Sequence, residues 1–196
     1  SEDIGEASEN NPAIIGGTLD GIGSFLVEPG GVVGTGRHYD LGQKGIDIWL
    51  DMLSGDMALS SNGYGWYQNV ANLVSTVDFS REENRICWQY LYKVVNLSNN
   101  VINSLGGNDA NPETATSRYM FGQAKAYRGY AYFYLAQIFQ RGYDPAQEIL
   151  PFYNGDPLMA SPSKVPASQI YDLIVDDLSD AVTLLDGYTR NQKQQI

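Results

Sequence analysis

Between Asn62 and Asn69 the chain reads NGYGWYQN, so that Tyr64 and Trp66 stand among glycines and carboxamides with Tyr67 beside them. A saccharide presents apolar C–H faces and a rim of hydroxyls. This composition suits stacking of a sugar on a ring while Asn62, Gln68 and Asn69 meet its hydroxyls. The glycines would let the loop turn its rings outward. A structural role is the alternative: Trp66 would anchor the loop to neighbouring helices and the rest would be polar surface. Asn62, Tyr64, Trp66, Tyr67 and Asn69 are the candidate ligand contacts.

Residues for other chemistries are sparse. His38 is the single histidine and Cys87 the single cysteine. That excludes a two-histidine metal site, a multi-cysteine zinc site and an internal disulfide, and a Ser-His-Asp arrangement would depend on His38 alone. Carboxylates are plentiful, but Asp176 with Asp177 and Glu82 with Glu83 are adjacent on helices. Adjacent helical side chains point about 100° apart, so neither pair makes an acid/base dyad by itself. Gly30, Gly31, Gly34 and Gly36 lack the Lys-Ser/Thr ending of a phosphate loop. Asn96-Leu97-Ser98 has the form of a glycosylation sequon, but a place inside a long helix makes it incidental. No catalytic residue, metal or cofactor is expected. Arg128, in a tyrosine-rich helix, is expected to stack and pair inside the scaffold, and Trp49 and Trp88 to pack in the core.

The balance of 12 basic against 23 acidic residues gives a net charge of -11, which repels nucleic acid and anionic lipid and leaves neutral or cationic ligands open. With 43% hydrophobic and 18% charged residues, the chain has the composition of a folded globular protein. No apolar run approaches the roughly 20 residues of a membrane span. No basic segment followed by an apolar one opens the chain.

The elements that must position these residues read as helices. After a polar lead-in at 1–11, Pro12 opens a helix carrying Ile15, Leu19, Ile22 and Leu26 at three-to-four spacing. A glycine-rich loop follows. A second helix runs from Tyr39 to Leu53 with Ile46, Trp49, Leu50 and Leu53 inward and Gly55 as its stop. Loop then extends to Asp78, with a helical turn near Val70 to Leu73. Ser80 and Glu83 have capping-box spacing. They predict a long helix striped by Cys87, Leu91, Val94, Val95, Ser98, Val101, Ile102 and Leu105, ending at Gly106 and Gly107. Asn111 and Pro112 open the next helix, with Tyr127, Ala131, Tyr134 and Ile138 on one face. The link from Gly106 to Asn111 is short enough to turn the two back antiparallel. A proline-rich surface loop from Tyr143 to Pro166 leads to a last helix, Ser168 to Leu185, with Ile170, Ile174, Leu178, Ala181 and Leu185 inward. No alternating strand pattern persists, so the expected fold is all-α, built from helical hairpins.

Three segments in order resemble the SusD/RagB family. The first is YDLGQKGIDIWLDMLSGDM, Tyr39 to Met57, similar to the family's Asp-aromatic/aliphatic-Gly run, short helix and Gly-Asp-Met turn. The second joins Trp88, Leu91, Tyr92 and Asn96 with Gly122, Ala124, Ala126, Arg128, Tyr132, Phe133 and Leu135, like the family's paired scaffold helices. In the third, Pro166 to Leu185, the positions Ile170, Tyr171, Ile174, Asp177, Leu178, Ala181 and Leu185 look like its next scaffold helix. The resemblance implies tetratricopeptide-like helix pairs, a longer protein of which residues 1–196 form the N-terminal helical region, and a lipid anchor at an upstream cysteine. It also implies non-catalytic oligosaccharide binding at the outer-membrane surface and a seat on a SusC-type TonB-dependent transporter. Two other functions compete: a peptide-binding or assembly scaffold of tetratricopeptide type, and an all-α glycosidase with two distant carboxylates.

Overall fold

The computed structural model describes residues 12–27, 40–61, 63–155 and 163–190. The lead-in at 1–11, the glycine-rich loop with His38, Asn62 and the last six residues lie outside them. The described residues form six α-helices, one 3-10 turn and a two-stranded ribbon. In order these are α1 (Pro12–Val27), α2 (Gln43–Ser54), α3 (Gln68–Ala71), the 3-10 turn (Val74–Thr76), α4 (Glu82–Ser104), α5 (Ala115–Phe139), β1 (Glu148–Pro151), β2 (Lys164–Pro166) and α6 (Ala167–Leu184). The all-α class read from periodicity holds. The chain divides into two compact units, Gly21–Lys93 and Ser1–Asp20 with Val94–Ile196.

The apolar spacing explains most elements. Ile15, Leu19 and Ile22 of α1 are buried as the spacing predicts, but the fourth buried position is Phe25, three residues on from Ile22, and Leu26 is only half-buried; Ile46 and Trp49 of α2 are buried. Leu53 is 37% exposed, so the inward face of α2 is narrower than its four apolar residues suggest. Within the first unit Phe25 stacks on Tyr90 at 5.1 Å, under the Lys93 ammonium. Gly42 lies where an added Cβ would meet the Leu26 carbonyl at 2.6 Å, and its φ of 62° suits only glycine, so the entry to α2 is specified by that residue. Along α4 the predicted stripe from Cys87 to Ile102 is buried, and Gly106 and Gly107 follow the helix at positive φ.

Several local expectations fail for physical reasons. The Ser80–Glu83 capping box does not form. Ser80 instead gives its N–H and hydroxyl to Asp78, which holds that carboxyl below its usual range, while Glu83 turns inward. Thr114, not Asn111, caps α5 by accepting the Ser117 N–H at 3.1 Å. The buried face of α5 is Phe121, Ala124, Arg128, Ala131, Tyr132 and Leu135. Tyr127, Tyr134 and Ile138 are only half-buried. The proline-rich stretch contains strands: Leu150 pairs with Val165 and Pro151 with Lys164 in an antiparallel ribbon with a bulge after Glu148. Segments this short show no alternation to read, and pairing across a loop depends on contacts distant in sequence.

Helix α6 packs against α5. Gly122 meets Leu184, Lys125 meets Asp180, Gly129 meets Leu178 and Gln137 meets Tyr171, so the helices run antiparallel. At Gly129 a Cβ would sit 3.1 Å from Leu178, and at Gly122 it would sit 2.9 Å from Leu184. Glycine costs about 1 kcal/mol relative to alanine inside a helix. Here it admits the neighbouring helix.

Candidate functional site

Two places bring polar and aromatic side chains together, one in each unit. In the Gly21–Lys93 unit the aromatic loop leads into α3. Tyr64 is 91% exposed, and its ring centroid lies 5.5 Å from that of half-buried Trp66 at an interplanar angle of 37°. Gly65 between them has a φ of 76°, which turns the chain at a position a side chain would strain. Tyr67 follows with φ 63°, left-handed and non-glycine, and burial pushes its phenol above the usual range. Asn69, in α3, donates its side-chain amide to Glu83 at 3.3 Å. The structure thus brings Tyr64, Trp66, Tyr67 and Asn69 into one short loop and helical turn.

The loop rests on the first turn of α4. Glu83 is 6% exposed, and its second oxygen accepts the Ser75 hydroxyl at 3.4 Å. Asn84 donates to the carbonyls of Ser75 and Asp78 at 2.8 and 3.0 Å. Cys87 lies one turn further along, and burial, reinforced by the charge of Glu83, pushes its thiol up to about 12. Beyond the rings the same stretch exposes Leu73, Val77 and Phe79, at 53%, 80% and 91%. A ring pair open to water and backed by buried polar struts can stack an apolar ligand face.

The second place is a cleft of ≈ 800 Å³ in the other unit, lined among others by Phe121, Lys125, Arg128, Phe152, Asp176 and Asp180. Its cations are paired. Arg128, 1% exposed, forms a two-pronged bridge to Asp177 at 2.7 and 2.8 Å, and its third nitrogen donates to Asn99 and to the Asn154 carbonyl. Lys125 pairs with Asp180. Tyr132 accepts the Tyr153 N–H at 2.7 Å and donates to its carbonyl, which Asn99 also reaches, and burial holds that phenol well above its usual range. Asn103 and Asn108 donate to the carbonyls of Gly155 and Asn154. Side chains from α4, α5 and the turn between them thus clamp the irregular segment 153–155.

Pairing of Arg128 inside the scaffold was legible, but its partner was missed. Leu178 was expected inward. It is 39% exposed, while Asp177 is 1% exposed. Ile170, Ile174, Asp177 and Ala181 form one helical stripe, so a carboxylate in an apolar series was the signal for a buried cation opposite. Trp49 is buried as expected, and Trp88 is half-buried against Tyr92 at 4.7 Å.

A SusD-like family model, described as starch-binding and associating with the outer membrane, matches residues 38–194. The chain belongs to this family. No curated protein matches it. Membership gives the SusD-like chain its general role, glycan binding at the outer membrane. Among its described residues no helix is long and apolar enough to cross a membrane. No three His, Cys, Asp or Glu residues among them gather as metal ligands.

Proposed function

We propose that this SusD-like protein captures oligosaccharides without cleaving them, using the loop from Asn62 to Asn69, and delivers them to a SusC-type TonB-dependent transporter. In this reading it is held at the cell surface by a lipid anchor. Trp66 is the stacking platform, Tyr64 the outer ring beside it, Tyr67 the shaped backbone behind them, and Asn62 and Asn69 meet sugar hydroxyls. The observation that carries the reading is the Tyr64–Trp66 pair, two rings in contact with the outer one almost fully in water. Two rings in contact, the outer one exposed, present a face on which the C–H side of a sugar can stack. Family membership supports the saccharide class, and the net charge of -11 supports a neutral glycan over an acidic one.

Calorimetry with malto-oligosaccharides tests it, with melting followed on the same samples. A ring stacked on a sugar contributes on the order of 1 to 2 kcal/mol. Trp66→Ala should therefore weaken binding about tenfold while the protein stays folded. A large drop in melting temperature with unchanged affinity would make Trp66 a packing anchor and remove the loop as the site.

A further inference from the structure

The segment carrying the ring pair has little regular structure to hold it. From Gly63 to Thr76 it makes one turn of α-helix and one 3-10 turn, and Tyr67 and Leu73, at φ 63° and 59°, occupy the left-handed region although neither is glycine. A backbone of this kind persists only where its surroundings hold it. The holding groups come from α4. Glu83 is its second residue, at the positive end of the helix dipole, which favours a carboxylate there. One oxygen takes the Asn69 amide and the other the Ser75 hydroxyl, so a single buried side chain ties the loop on both sides of Leu73.

We infer that Glu83 is the positioning residue of the sugar-binding loop: its two ties to Asn69 and Ser75 set the angle and exposure of the Tyr64–Trp66 platform. This rests on the glycan-binding reading above. It adds that affinity depends on a carboxylate with no sugar contact of its own, and that the effect of Asn69 passes largely through Glu83. The side-chain carbonyl of Asn69 meets sugar only where that tie places it.

A double-mutant cycle on malto-oligosaccharide affinity tests the inference, measured well below the melting temperature with Glu83→Gln, Asn69→Ala, the double variant and Trp66→Ala. Glutamine removes the charge and leaves at best two neutral bonds, its oxygen accepting from Asn69 and its amide donating to the Ser75 hydroxyl, so Glu83→Gln should weaken binding about threefold. Asn69→Ala should weaken it by a similar factor. The double variant should be no worse than the weaker single, because both substitutions act on the same tie. Ser75→Ala cuts the other tie alone and should cost about threefold in affinity with little change in melting, and it stands in if Glu83→Gln does not fold. Factors that multiply in the double variant, or Glu83→Gln and Ser75→Ala both within twofold of wild type, would overturn the inference while Trp66→Ala still weakened binding about tenfold. Should Trp66→Ala bind normally, the loop is not the sugar site and both readings fall together.

Discussion

Each unit uses buried polar side chains to hold an irregular segment, but to different degrees. Residues 153–155 are gripped by Asn99, Asn103, Asn108, Arg128 and Tyr132 through bonds of 2.7 to 3.2 Å, anchored by a bridge between side chains 1% and 2% exposed. The aromatic loop is tied by Glu83 through bonds of 3.3 and 3.4 Å and by Asn84, which holds the Ser75 and Asp78 carbonyls at 2.8 and 3.0 Å, with Tyr64 in water. Charge-assisted bonds within about 2.9 Å are roughly twice as strong as neutral ones, and a guanidinium that meets a carboxylate on two prongs is fixed in orientation as well as distance. Polar saturation therefore makes segment 153–155 scaffold. The loop is tied along its α4 side and leaves the Tyr64 ring exposed.

Removing the guanidinium would break this contrast most sharply. Arg128→Met keeps much of the stem volume but strands Asp177 as a buried unpaired charge, which should cost about 3–5 kcal/mol in urea unfolding. A loss under about 1 kcal/mol would mean the clamp is not the strong member of the pair. Asp177→Asn with an equally large loss would strengthen it.

A medium effect is expected under the loop, where Cys87 reports whether α4 keeps its floor closed. The folded thiol titrates near 12 against an ordinary 9.0 because it is buried, so the unfolded chain releases this proton first. Its share of stability is therefore fully present below pH 9.0 and is lost as pH rises toward about 12. The slope is at most about 1.4 kcal/mol per pH unit for one group. Cys87→Ala should flatten the decline between two alkaline pH values by that amount. Burial also raises Tyr67, Tyr127 and Tyr132, so part of the alkaline loss should persist. An unchanged slope would place solvent at the thiol.

The smallest stability effect belongs to the most exposed ring. Tyr64→Ala should alter unfolding free energy by no more than about 0.5 kcal/mol, while glycan affinity falls several-fold. If melting moved as far as in Arg128→Met, the loop would be scaffold too and the two regions would not differ.

Local periodicity and punctuation determined much of this protein from sequence alone. The inward Ile15, Leu19 and Ile22 of α1, the stripe from Cys87 to Ile102, the stops at Gly55 and at Gly106 with Gly107, and the inward Ile170, Ile174 and Ala181 are consequences of a 3.6-residue repeat and left-handed glycines. The aromatic and amide make-up of residues 62–69 was equally plain, as was the pairing habit of Arg128. Only the tertiary structure decided which partner each polar group found. Ser80 turned to Asp78 and freed Glu83 to brace a loop fourteen positions earlier in the chain, as far back as Asn69. Asp177 crossed to Arg128, and the 148–151 stretch paired with 164–166. The physical reason is the same in each case: helix faces follow from neighbours three and four residues apart, whereas a buried charge or an unpaired strand is satisfied by whatever the folded chain brings within about 3 Å of it.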